Sequence, residues 1–328
     1  MKSVLFVSTY PFGRENSLPR EILKKTPLKV IYNPLNRKLK PSETAELAKD
    51  ADIIIAGTEN LEPLIRSSER LKFISRVGIG LDSVPLRLCK EKGIRVSYTP
   101  DAVTPAVTEL TLGLILDLFR DISYCDREIR NGNWSRPVGR RIEHSVIGML
   151  GFGRVGKGVA RLLSSFRPKE VLVNDIKDIQ KDILSFREKF GLNIRFAEKE
   201  EIYSVSDLVT VHMPLTSETR GLVNRDVLHL FRKDAFLLNT ARGEIVHEND
   251  LYDSLKNREI QGAALDVFSE EPYKGRLREL ENIILTEHIG SCSVDCRIAM
   301  ERESAEEALN FFEGKKLLRE VENYDGEF

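Results

Sequence analysis

Residues 146–156 read Val-Ile-Gly-Met-Leu-Gly-Phe-Gly-Arg-Val-Gly, an apolar run that leads directly into a glycine-rich turn. Gly151, Gly153 and Gly156 form the pattern GxGxxG, and a predicted helix over 155–166 follows. In such turns the first glycine permits a tight bend, the second lets the backbone approach a pyrophosphate, and the third lets the helix pack closely. The helix N-terminus also favours phosphate charge. This stretch therefore predicts a Rossmann-type domain that binds a dinucleotide.

An acidic residue at the end of the next predicted strand, 171–174, strengthens this prediction. Asp175 lies 24 residues after Gly151, close to the ~20 residues expected for the carboxylate that accepts a hydrogen bond from the ribose 2′-hydroxyl. A carboxylate at this place repels the 2′-phosphate of NADP, so NAD is the expected cofactor. Lys177, two residues further on, carries a positive charge that could bind the 2′-phosphate, so NADP stays an alternative.

Strand-like and helix-like segments alternate along almost the whole chain, which is typical of parallel, doubly wound sheets. In the first hundred residues, strands are predicted over 4–7, 28–32, 53–55 and 71–74, with helices over 43–49 and 86–92. Further along, strands are predicted near 146–150, 171–174, 208–211, 236–239, 263–267 and 283–286, with helices over 155–166, 248–258 and 295–318. The predicted fold class is therefore α/β, with two doubly wound parallel-sheet domains.

An almost wholly apolar helix is predicted between the two series. Thr104 would cap this helix, Pro105 would occupy its first position, and it would end near Arg120. Because a helix that is apolar nearly all round is buried on several sides, we expect this one to lie between domains or between subunits.

Composition limits the class of protein. A chain of 328 residues is long enough for two domains with their own cores. Its 50 basic and 51 acidic residues leave a net charge of −1, which offers no electrostatic footprint for nucleic acid or an anionic membrane. The short apolar N-terminus fits a first strand rather than a signal peptide, and no run of about 18 apolar residues indicates a transmembrane helix.

The four cysteines, Cys89, Cys125, Cys292 and Cys296, are expected to be reduced thiols of a cytoplasmic protein. A zinc site needs about four ligands at a recognisable spacing, and the sequence contains no such set. We therefore expect no metal, a cytoplasmic location, and neither nucleic acid nor membrane as a partner.

Three polar residues each come shortly after one of the last three predicted strands: Arg242, Glu271 and His288. Because the C-termini of strands in an open parallel sheet line one crevice, we expect these side chains to converge where a ligand binds. Arginine offers a planar fork to a carboxylate, and histidine titrates near neutral pH. This set suits the movement of a proton and a hydride on a 2-keto or 2-hydroxy acid.

Several stretches also follow one another in an order known from one enzyme family: Arg76 to Asp82 (RVGIGLD), Thr99 to Glu109, Leu150 to Gly156, Val211 to Thr216, Thr219 to Gly221, Asn239 to Gly243, Leu265 to Pro272, and His288 to Gly290. In these stretches, over residues 50–310, the chain resembles the D-isomer-specific 2-hydroxyacid dehydrogenase family, in particular its phosphoglycerate-dehydrogenase-like branch. The resemblance implies a hydride transfer between NAD and C2 of a D-2-hydroxy acid or 2-keto acid.

The resemblance also implies a domain organisation. A Rossmann domain over residues 100–290 would bind NAD, and it would be inserted into a flavodoxin-like substrate domain made of residues 1–99 and 291–328. Homodimers are usual among such enzymes, and the apolar helix over 105–120 would suit their interface.

By the same resemblance, the three polar residues take defined roles. Arg242 would bind the substrate carboxylate and polarise the carbonyl, while Glu271 would hydrogen-bond His288. His288 would act as the general base that takes the hydroxyl proton in oxidation, and as the acid that returns it in reduction.

Further contacts are implied for both ligands. The substrate would be bound by Arg76 and by the backbone amides of Val77 and Gly78. The cofactor would contact a larger set of residues: Gly151, Gly153, Arg154, Val155, Gly156, Asp175, His212, Met213, Pro214, Thr219, Thr240, Ala241, Asp266 and Gly290.

The substrate stays open between 3-phosphoglycerate or 3-phosphohydroxypyruvate and the unphosphorylated acids glyoxylate and hydroxypyruvate. Enzymes of the phosphoglycerate branch often carry a cation in the loop after the third strand, whereas Ala56-Gly57-Thr58-Glu59 contains none. Glu287 also replaces the proline that often precedes the histidine. Two alternatives are an NAD(H)-sensing, corepressor-like binding protein and a phosphite dehydrogenase.

Overall fold

The computed structural model describes residues 2–324 and divides the chain into two compact units. Unit 1 comprises Met1–Val103 and Ser291–Phe328, and unit 2 comprises Thr104–Gly290. The first division thus comes after Val103, whereas the organisation implied by the sequence places it after residue 99. Residues 325–328, which that organisation assigns to the substrate domain, lie outside the described residues.

Unit 1 is built on five parallel strands: β1 (Val4–Val7), β2 (Lys29–Tyr32), β3 (Ile53–Ala56), β4 (Phe73–Arg76) and β5 (Arg95–Ser97). Their order across the sheet is β2-β1-β3-β4-β5, which is the flavodoxin-like arrangement. Every residue of β3 is buried, as expected for a parallel strand at the centre of a sheet that is covered on both faces.

Four short helices connect these strands: α1 (Leu18–Lys24), α2 (Pro41–Leu47), α3 (Glu62–Ser67) and α4 (Leu86–Glu91). The C-terminal helix of the chain also belongs to unit 1 and carries buried glutamates. Glu301 accepts a hydrogen bond from the amide of Gly13 at 2.6 Å, and Glu307 accepts one from the amide of Leu318 at 3.1 Å. These carboxylates tie the C-terminal segment to the first loop and to the chain end, because a buried charge must be paired or hydrogen-bonded.

Unit 2 contains seven parallel strands: β6 (Val146–Leu150), β7 (Glu170–Asn174), β8 (Ile194–Phe196), β9 (Leu208–Val211), β10 (Phe236–Asn239), β11 (Gly262–Leu265) and β12 (Ile283–Leu285). Their order is β12-β11-β10-β9-β6-β7-β8. The chain therefore reverses its direction across the sheet between β6 and β9, the switch point of a Rossmann fold. The predicted fold class, with two doubly wound parallel sheets, is confirmed.

The remaining helices complete the chain: α5 (Pro100–Arg120), α6 (Ile122–Arg130), α7 (Arg154–Ser164), α8 (Gln180–Phe190), α9 (Lys199–Val205), α10 (Arg225–Leu228), α11 (Glu248–Lys256) and α12 (Val294–Phe312). The C-terminal helix ends six residues before the predicted Leu318. Gly314, two residues past its end, has a φ of +67°, a left-handed conformation that terminates many helices.

The apolar helix α5 differs from its prediction at the N-terminus. It begins at Pro100, so Thr104 is not its cap and Pro105 lies inside it, at the expense of one helical hydrogen bond. Its C-terminal half is buried within unit 2, where Ile115 and Phe119 share a core cluster with Ile147 of β6. By length and composition alone α5 would also suffice to cross a membrane, a weak signal that buried core helices share.

Several elements had no counterpart in the sequence prediction: α1, α3, α6, α8, α9, α10, β5 and β8. Apart from α8, which has 11 residues, these segments have at most nine residues, so each offers too few positions to show a helical or strand period. The other long and apolar segments were placed to within a few residues.

We expect opposite effects from two glycine-to-alanine changes in unit 2. A methyl group at Gly148 in β6 would lie 2.5 Å from Ile202 Cγ2 of α9 and from Ser206 Oγ, so Gly148→Ala would overpack the layer and lower the free energy of unfolding by about 1–3 kcal/mol. Gly113→Ala in α5 meets no atom within 4 Å and would raise it by about 0.5–1 kcal/mol. Thermal unfolding of both variants measures this, and an undiminished melting temperature for Gly148→Ala would contradict the packing argument.

Candidate active site

The glycine-rich turn follows β6 at the switch point of the unit 2 sheet, directly beside the residues that follow β9. Gly151 has a φ of +98°, and a methyl group there would lie 2.7 Å from the carbonyl carbon and oxygen of His212. Only glycine allows this backbone conformation and this approach together. The turn is therefore packed directly on the end of β9.

At the start of α7, Gly156 packs closely against the glycine-rich turn, whereas the space beside Gly153 is open. A methyl group at Gly156 would lie 2.4 Å from the carbonyl oxygen of Gly151, so the helix is pressed onto the turn. A methyl group at Gly153 would meet nothing within 4 Å. Gly153 precedes Arg154 and Val155, the first residues of the helix. An open helix N-terminus next to a glycine fits the pyrophosphate of NAD.

Asp175 follows β7 and helps to shape this turn. One carboxylate oxygen accepts a hydrogen bond from the amide of Phe152 at 2.7 Å, and the other accepts one from the amide of Lys177 at 3.0 Å. The carboxylate is thereby held beside the glycine-rich turn, at the place where a ribose 2′-hydroxyl is bound in Rossmann folds. The contact with Phe152 is a second role that the sequence motif did not reveal.

The side chain of His212 is an uncharged imidazole that lies beside the glycine-rich turn. Burial lowers the pKa of its ring to about 3, and its Nε2 lies 3.1 Å from the hydroxyl of Thr210. Its buried Nδ1 has no hydrogen-bond partner in the described part of the chain. The sequence predicted a cofactor contact for this residue, and the structure adds that it supports the backbone of the turn.

The loop after His212 has a defined internal structure. The hydroxyl of Thr219 donates to the carbonyl of Pro214 at 2.7 Å and accepts from the amide of Thr216 at 2.8 Å. Met213 is packed against the core cluster beneath it, whereas Pro214 is exposed. The Thr219 hydroxyl therefore holds the loop in shape, and the cofactor contacts predicted for these residues stay predictions.

Arg242, Glu271 and His288 follow β10, β11 and β12, three neighbouring strands that end at the same edge of the sheet. The Nδ1 atom of His288 lies 2.9 Å from both carboxylate oxygens of Glu271. One of these oxygens also accepts the amide of Phe268 at 3.3 Å, which orients the carboxylate. The predicted pairing of the imidazole with the carboxylate is thus present in the structure.

Arg242 lies on the loop after β10, which is bound to the neighbouring loop by close backbone contact. A methyl group at the next residue, Gly243, would lie 1.9 Å from the carbonyl carbon of Phe268. The side chain of Asn239 donates to the carbonyl of Arg242 at 2.8 Å and accepts from the amide of Ala241 at 3.0 Å. Arg242 is half-buried, and its guanidinium donates to the carbonyl of Ala241 at 2.6 Å.

Two other residues predicted to contact the cofactor, Thr240 and Asp266, form hydrogen bonds within unit 2. The hydroxyl of Thr240 lies 3.0 Å from that of Thr111 in α5. The carboxylate of Asp266 accepts hydrogen bonds from the hydroxyl of Thr286 and from the amides of Ile289 and Gly290. Thr286 and Asn239 are positioning residues for which the sequence predicted no role. Each is a polar residue at the end of a strand, and Asn239 also begins one of the stretches that carry the family resemblance.

In unit 1, β4 and the loop after it carry the residues predicted to bind the substrate, Arg76, Val77 and Gly78. The amide of Val77 donates to the carbonyl of Ala56 at 2.9 Å, and the amide of Gly78 donates to the hydroxyl of Thr99 at 2.8 Å. Both amides hold the loop in this arrangement, and the substrate contact predicted for them stays a prediction. The guanidinium of Arg76 is buried and donates to the carbonyl of Val77.

The next two amides of this loop, those of Ile79 and Gly80, have no hydrogen-bond partner within residues 2–324. Both residues are partly exposed. The sequence motif RVGIGLD contains them, but the pattern alone did not show which of its amides are used internally. Within residues 2–324, no group of three or more His, Cys, Asp or Glu residues is placed to hold a metal ion.

The low pKa of His212 predicts a pH-dependent stability. The folded chain keeps this ring neutral down to about pH 3, whereas the unfolded chain protonates it below its ordinary value of 6.5. Between these values the unfolded chain binds the additional proton, so the free energy of unfolding falls with decreasing pH by up to about 1.4 kcal/mol per unit. Urea denaturation at pH 7, 6 and 5 would show a smaller decrease for His212→Gln than for the wild type. His144→Gln, at an exposed position, is the control; a slope unchanged in His212→Gln would contradict the assignment.

Comparisons with known proteins agree with this geometry. The model of the D-isomer specific 2-hydroxyacid dehydrogenase NAD-binding domain matches residues 112–290. The chain is 34% identical to glyoxylate reductase from Thermofilum pendens over 278 residues, covering 81% of this chain and 79% of the relative. It is 35% identical to D-3-phosphoglycerate dehydrogenase from Methanocaldococcus jannaschii over 266 residues, but these cover only 50% of that longer relative and 80% of this chain.

Solved structures give the same result. D-lactate dehydrogenase from Aquifex aeolicus, complexed with NAD and lactic acid, superposes with a TM-score of 0.82 at 26% identity, covering 95% of this chain and 96% of that chain. The two alternatives, an NAD(H)-sensing corepressor-like protein and a phosphite dehydrogenase, are not favoured by these comparisons. The chain belongs to the D-isomer specific 2-hydroxyacid dehydrogenase family, whose members use NAD to act on the CH–OH group of D-2-hydroxy acids.

Proposed function

We propose that His288 is the general acid and base of this dehydrogenase, that Glu271 orients it, and that Arg242 binds the substrate carboxylate. The observation that carries this proposal is the 2.9 Å contact between His288 Nδ1 and the Glu271 carboxylate. A carboxylate on Nδ1 selects the tautomer and the ring orientation of a histidine. Proton transfer then uses Nε2, on the other side of the ring.

Bound NAD would supply the acceptor for the hydride of C2, and NADH would supply the donor in the reverse direction. In oxidation, Nε2 of His288 takes the proton of the C2 hydroxyl as the carbonyl forms. In reduction, protonated His288 returns this proton to the oxygen on C2. The Glu271 carboxylate stabilises the imidazolium between these events. Asp175, held on the glycine-rich turn, favours NAD over NADP as the working cofactor.

The substrate carboxylate needs fixed hydrogen-bond donors. Arg242 supplies a guanidinium that suits bidentate binding of a carboxylate. We propose that unit 1, taken by itself, offers the amides of Ile79 and Gly80 as donors to an anion, because the amides of Val77 and Gly78 already donate within that unit. Two successive backbone amides form a concave site that suits an anion.

We further propose that the substrate is a small unphosphorylated acid such as glyoxylate or hydroxypyruvate. The loop with Gly57 and Glu59 runs beside the loop of Ile79 and Gly80: the two loops are joined by the bonds from Val77 to Ala56 and from Leu61 to Ser83. Glu59 is only 3% exposed, and no described residue forms an ion pair with it. A phosphate next to this carboxylate would be repelled. The relatives include a glyoxylate reductase and a hydroxypyruvate reductase.

Oxidation of NADH at 340 nm with glyoxylate, hydroxypyruvate and 3-phosphohydroxypyruvate tests this proposal. We expect turnover of an unphosphorylated acid, with kcat/KM at least about tenfold lower for the phosphorylated one, a difference of about 1.4 kcal/mol.

His288→Asn would lower kcat by roughly 10²–10⁴ while the Kd for NADH is unchanged, because a proton donor is lost without a change in cofactor binding. His144→Asn, at an exposed position, should keep wild-type activity. Full turnover by His288→Asn would overturn the assignment of the acid and base.

We also propose that the protein is a homodimer, formed through α6 and residues 131–139. None of the nine residues of α6 is buried, although its apolar Ile122 and Ile129 are 55% and 60% exposed. Trp134 and Val138 on the following loop are 77% and 98% exposed. An amphipathic helix and a tryptophan exposed together are typical of an interface. The structure buries the C-terminal half of α5 in its own unit, so α6 supports this proposal better than the helix over 105–120 named from the sequence.

Analytical ultracentrifugation tests the dimer. We expect a dimer for the wild type and a monomer for Trp134→Glu combined with Val138→Glu, since two charges on each copy would be buried at a twofold interface. Leu318→Glu, on an exposed side chain of unit 1, should remain dimeric. A monomeric wild type, or a dimeric double variant, would refute this interface.

We propose a cytoplasmic location, with neither nucleic acid nor membrane as a partner. Two observations support it. The chain has 50 basic and 51 acidic residues, so it carries no excess of basic charge. The cysteines occur as thiols, and burial raises the pKa of Cys89 to about 12 and that of Cys296 to about 11, which keeps both protonated.

A further inference from the structure

The loop after β12, residues 286–290, is bound at both ends by one buried carboxylate. Asp266 is 1% exposed, and its Oδ1 accepts hydrogen bonds from the hydroxyl of Thr286 at 2.6 Å and from the amide of Ile289 at 2.8 Å. Its Oδ2 accepts one from the amide of Gly290 at 2.9 Å. The three donors stand on both sides of His288, so the carboxylate closes the loop around this residue.

The backbone of His288 needs such support. Its φ is +53°, a left-handed conformation that non-glycine residues seldom adopt and that persists only where the surrounding structure enforces it. Hydrogen bonds to an ionised acceptor are shorter and stronger than neutral ones. The three bonds to Asp266 therefore supply the force that keeps His288 in this conformation.

The position of the imidazole depends on that conformation. His288 Nδ1 meets the Glu271 carboxylate at 2.9 Å, and Glu271 is itself fixed by the amide of Phe268. If the 286–290 loop relaxes toward an ordinary φ, the ring swings away from Glu271. A displacement of about 1 Å of a catalytic group costs roughly 10²-fold in rate.

We propose that Thr286 and Asp266 form a latch that positions His288 against Glu271. Both are positioning residues, because they act on the reaction through the backbone of the loop. The latch builds on the proposed function, in which His288 moves the proton. It also gives Asp266 a role other than the cofactor contact implied by the family resemblance.

Thr286 is the better residue for a test, since Asp266 and Gly290 carry a predicted cofactor contact and Thr286 carries none. Thr286→Val removes the hydroxyl donor and keeps the shape of the side chain, whereas Thr286→Ser keeps the donor. Thr26→Val is a matched control: its hydroxyl donates to the carbonyl of Leu23 at 2.8 Å in unit 1, remote in the sequence from the proposed catalytic residues.

Three measurements report on the latch. We expect Thr286→Val to lower kcat by roughly tenfold to hundredfold, with the Kd for NADH within about twofold of the wild type. Thr286→Ser should recover most of this loss, and Thr26→Val should show none. Hydrogen exchange of the Ile289 and Gly290 amides, measured without ligands, should become at least about tenfold faster in Thr286→Val alone, because these amides share their acceptor with the lost hydroxyl.

Distinct results would overturn the latch. Wild-type kcat together with unchanged amide exchange in Thr286→Val would show that the hydroxyl does not hold the loop. Equal losses in kcat and in NADH affinity would show a cofactor contact instead. If Thr286→Val does not fold, Thr286→Ala replaces it, because it also removes the hydroxyl that donates to Asp266; a kcat within twofold of the wild type would then refute the latch.

Failure of the proposed function gives a different pattern. If the wild type turns over none of the keto acids, the assignment of His288 as acid and base fails. The exchange of the Ile289 and Gly290 amides then decides the latch without any measurement of activity. Unchanged exchange in Thr286→Val would refute it, and faster exchange would support it.

Discussion

Direct contact of backbone with backbone at the carboxyl ends of the unit 2 strands is the constraint on which the site depends. Gly151 lies against His212, and Gly243 lies against Phe268, at distances that no side chain would permit. Each contact joins loops that follow different strands, so the loops at this edge form one layer. The side chains that they carry inherit their positions from the sheet, since the loops have little freedom of their own.

Carboxylates, buried at Asp266 and half-buried at Asp175, also bind these loops together. Asp266 accepts three hydrogen bonds from the 286–290 loop, and Asp175 accepts the amides of Phe152 and Lys177. Ionised oxygens make strong hydrogen bonds to backbone amides, and a carboxylate so satisfied tolerates burial. In unit 1, Glu301 and Glu307 do the same for the first loop and the chain end. The chain thus uses acidic residues as loop anchors as well as in the proposed chemistry.

Individual elements and residues show which features the sequence pattern predicted and which it did not. The hydrophobic runs placed β6 and β9 to β12 correctly, because buried parallel strands are apolar throughout. Pro105 misled the assignment of the helix start, since packing of α5 compensates for the hydrogen bond that a proline removes. The motif around Val77 and Gly78 indicated a loop, but it did not show that both amides donate hydrogen bonds within unit 1. Thr286 was missed because its partner, Asp266, follows a different strand, β11.

The sequence by itself determined the family, the alternation that makes two parallel sheets, the glycine-rich turn and the identities of Arg242, Glu271 and His288. These features are local: each is a short pattern with its own physical meaning, and parallel strands bring their carboxyl ends to one edge whatever their loops contain. Only the tertiary structure decided which donors and acceptors are used within the protein. A hydrogen bond such as that from Thr286 to Asp266 joins residues 20 positions apart, so its existence depends on strand register and loop path, which no single stretch of sequence contains.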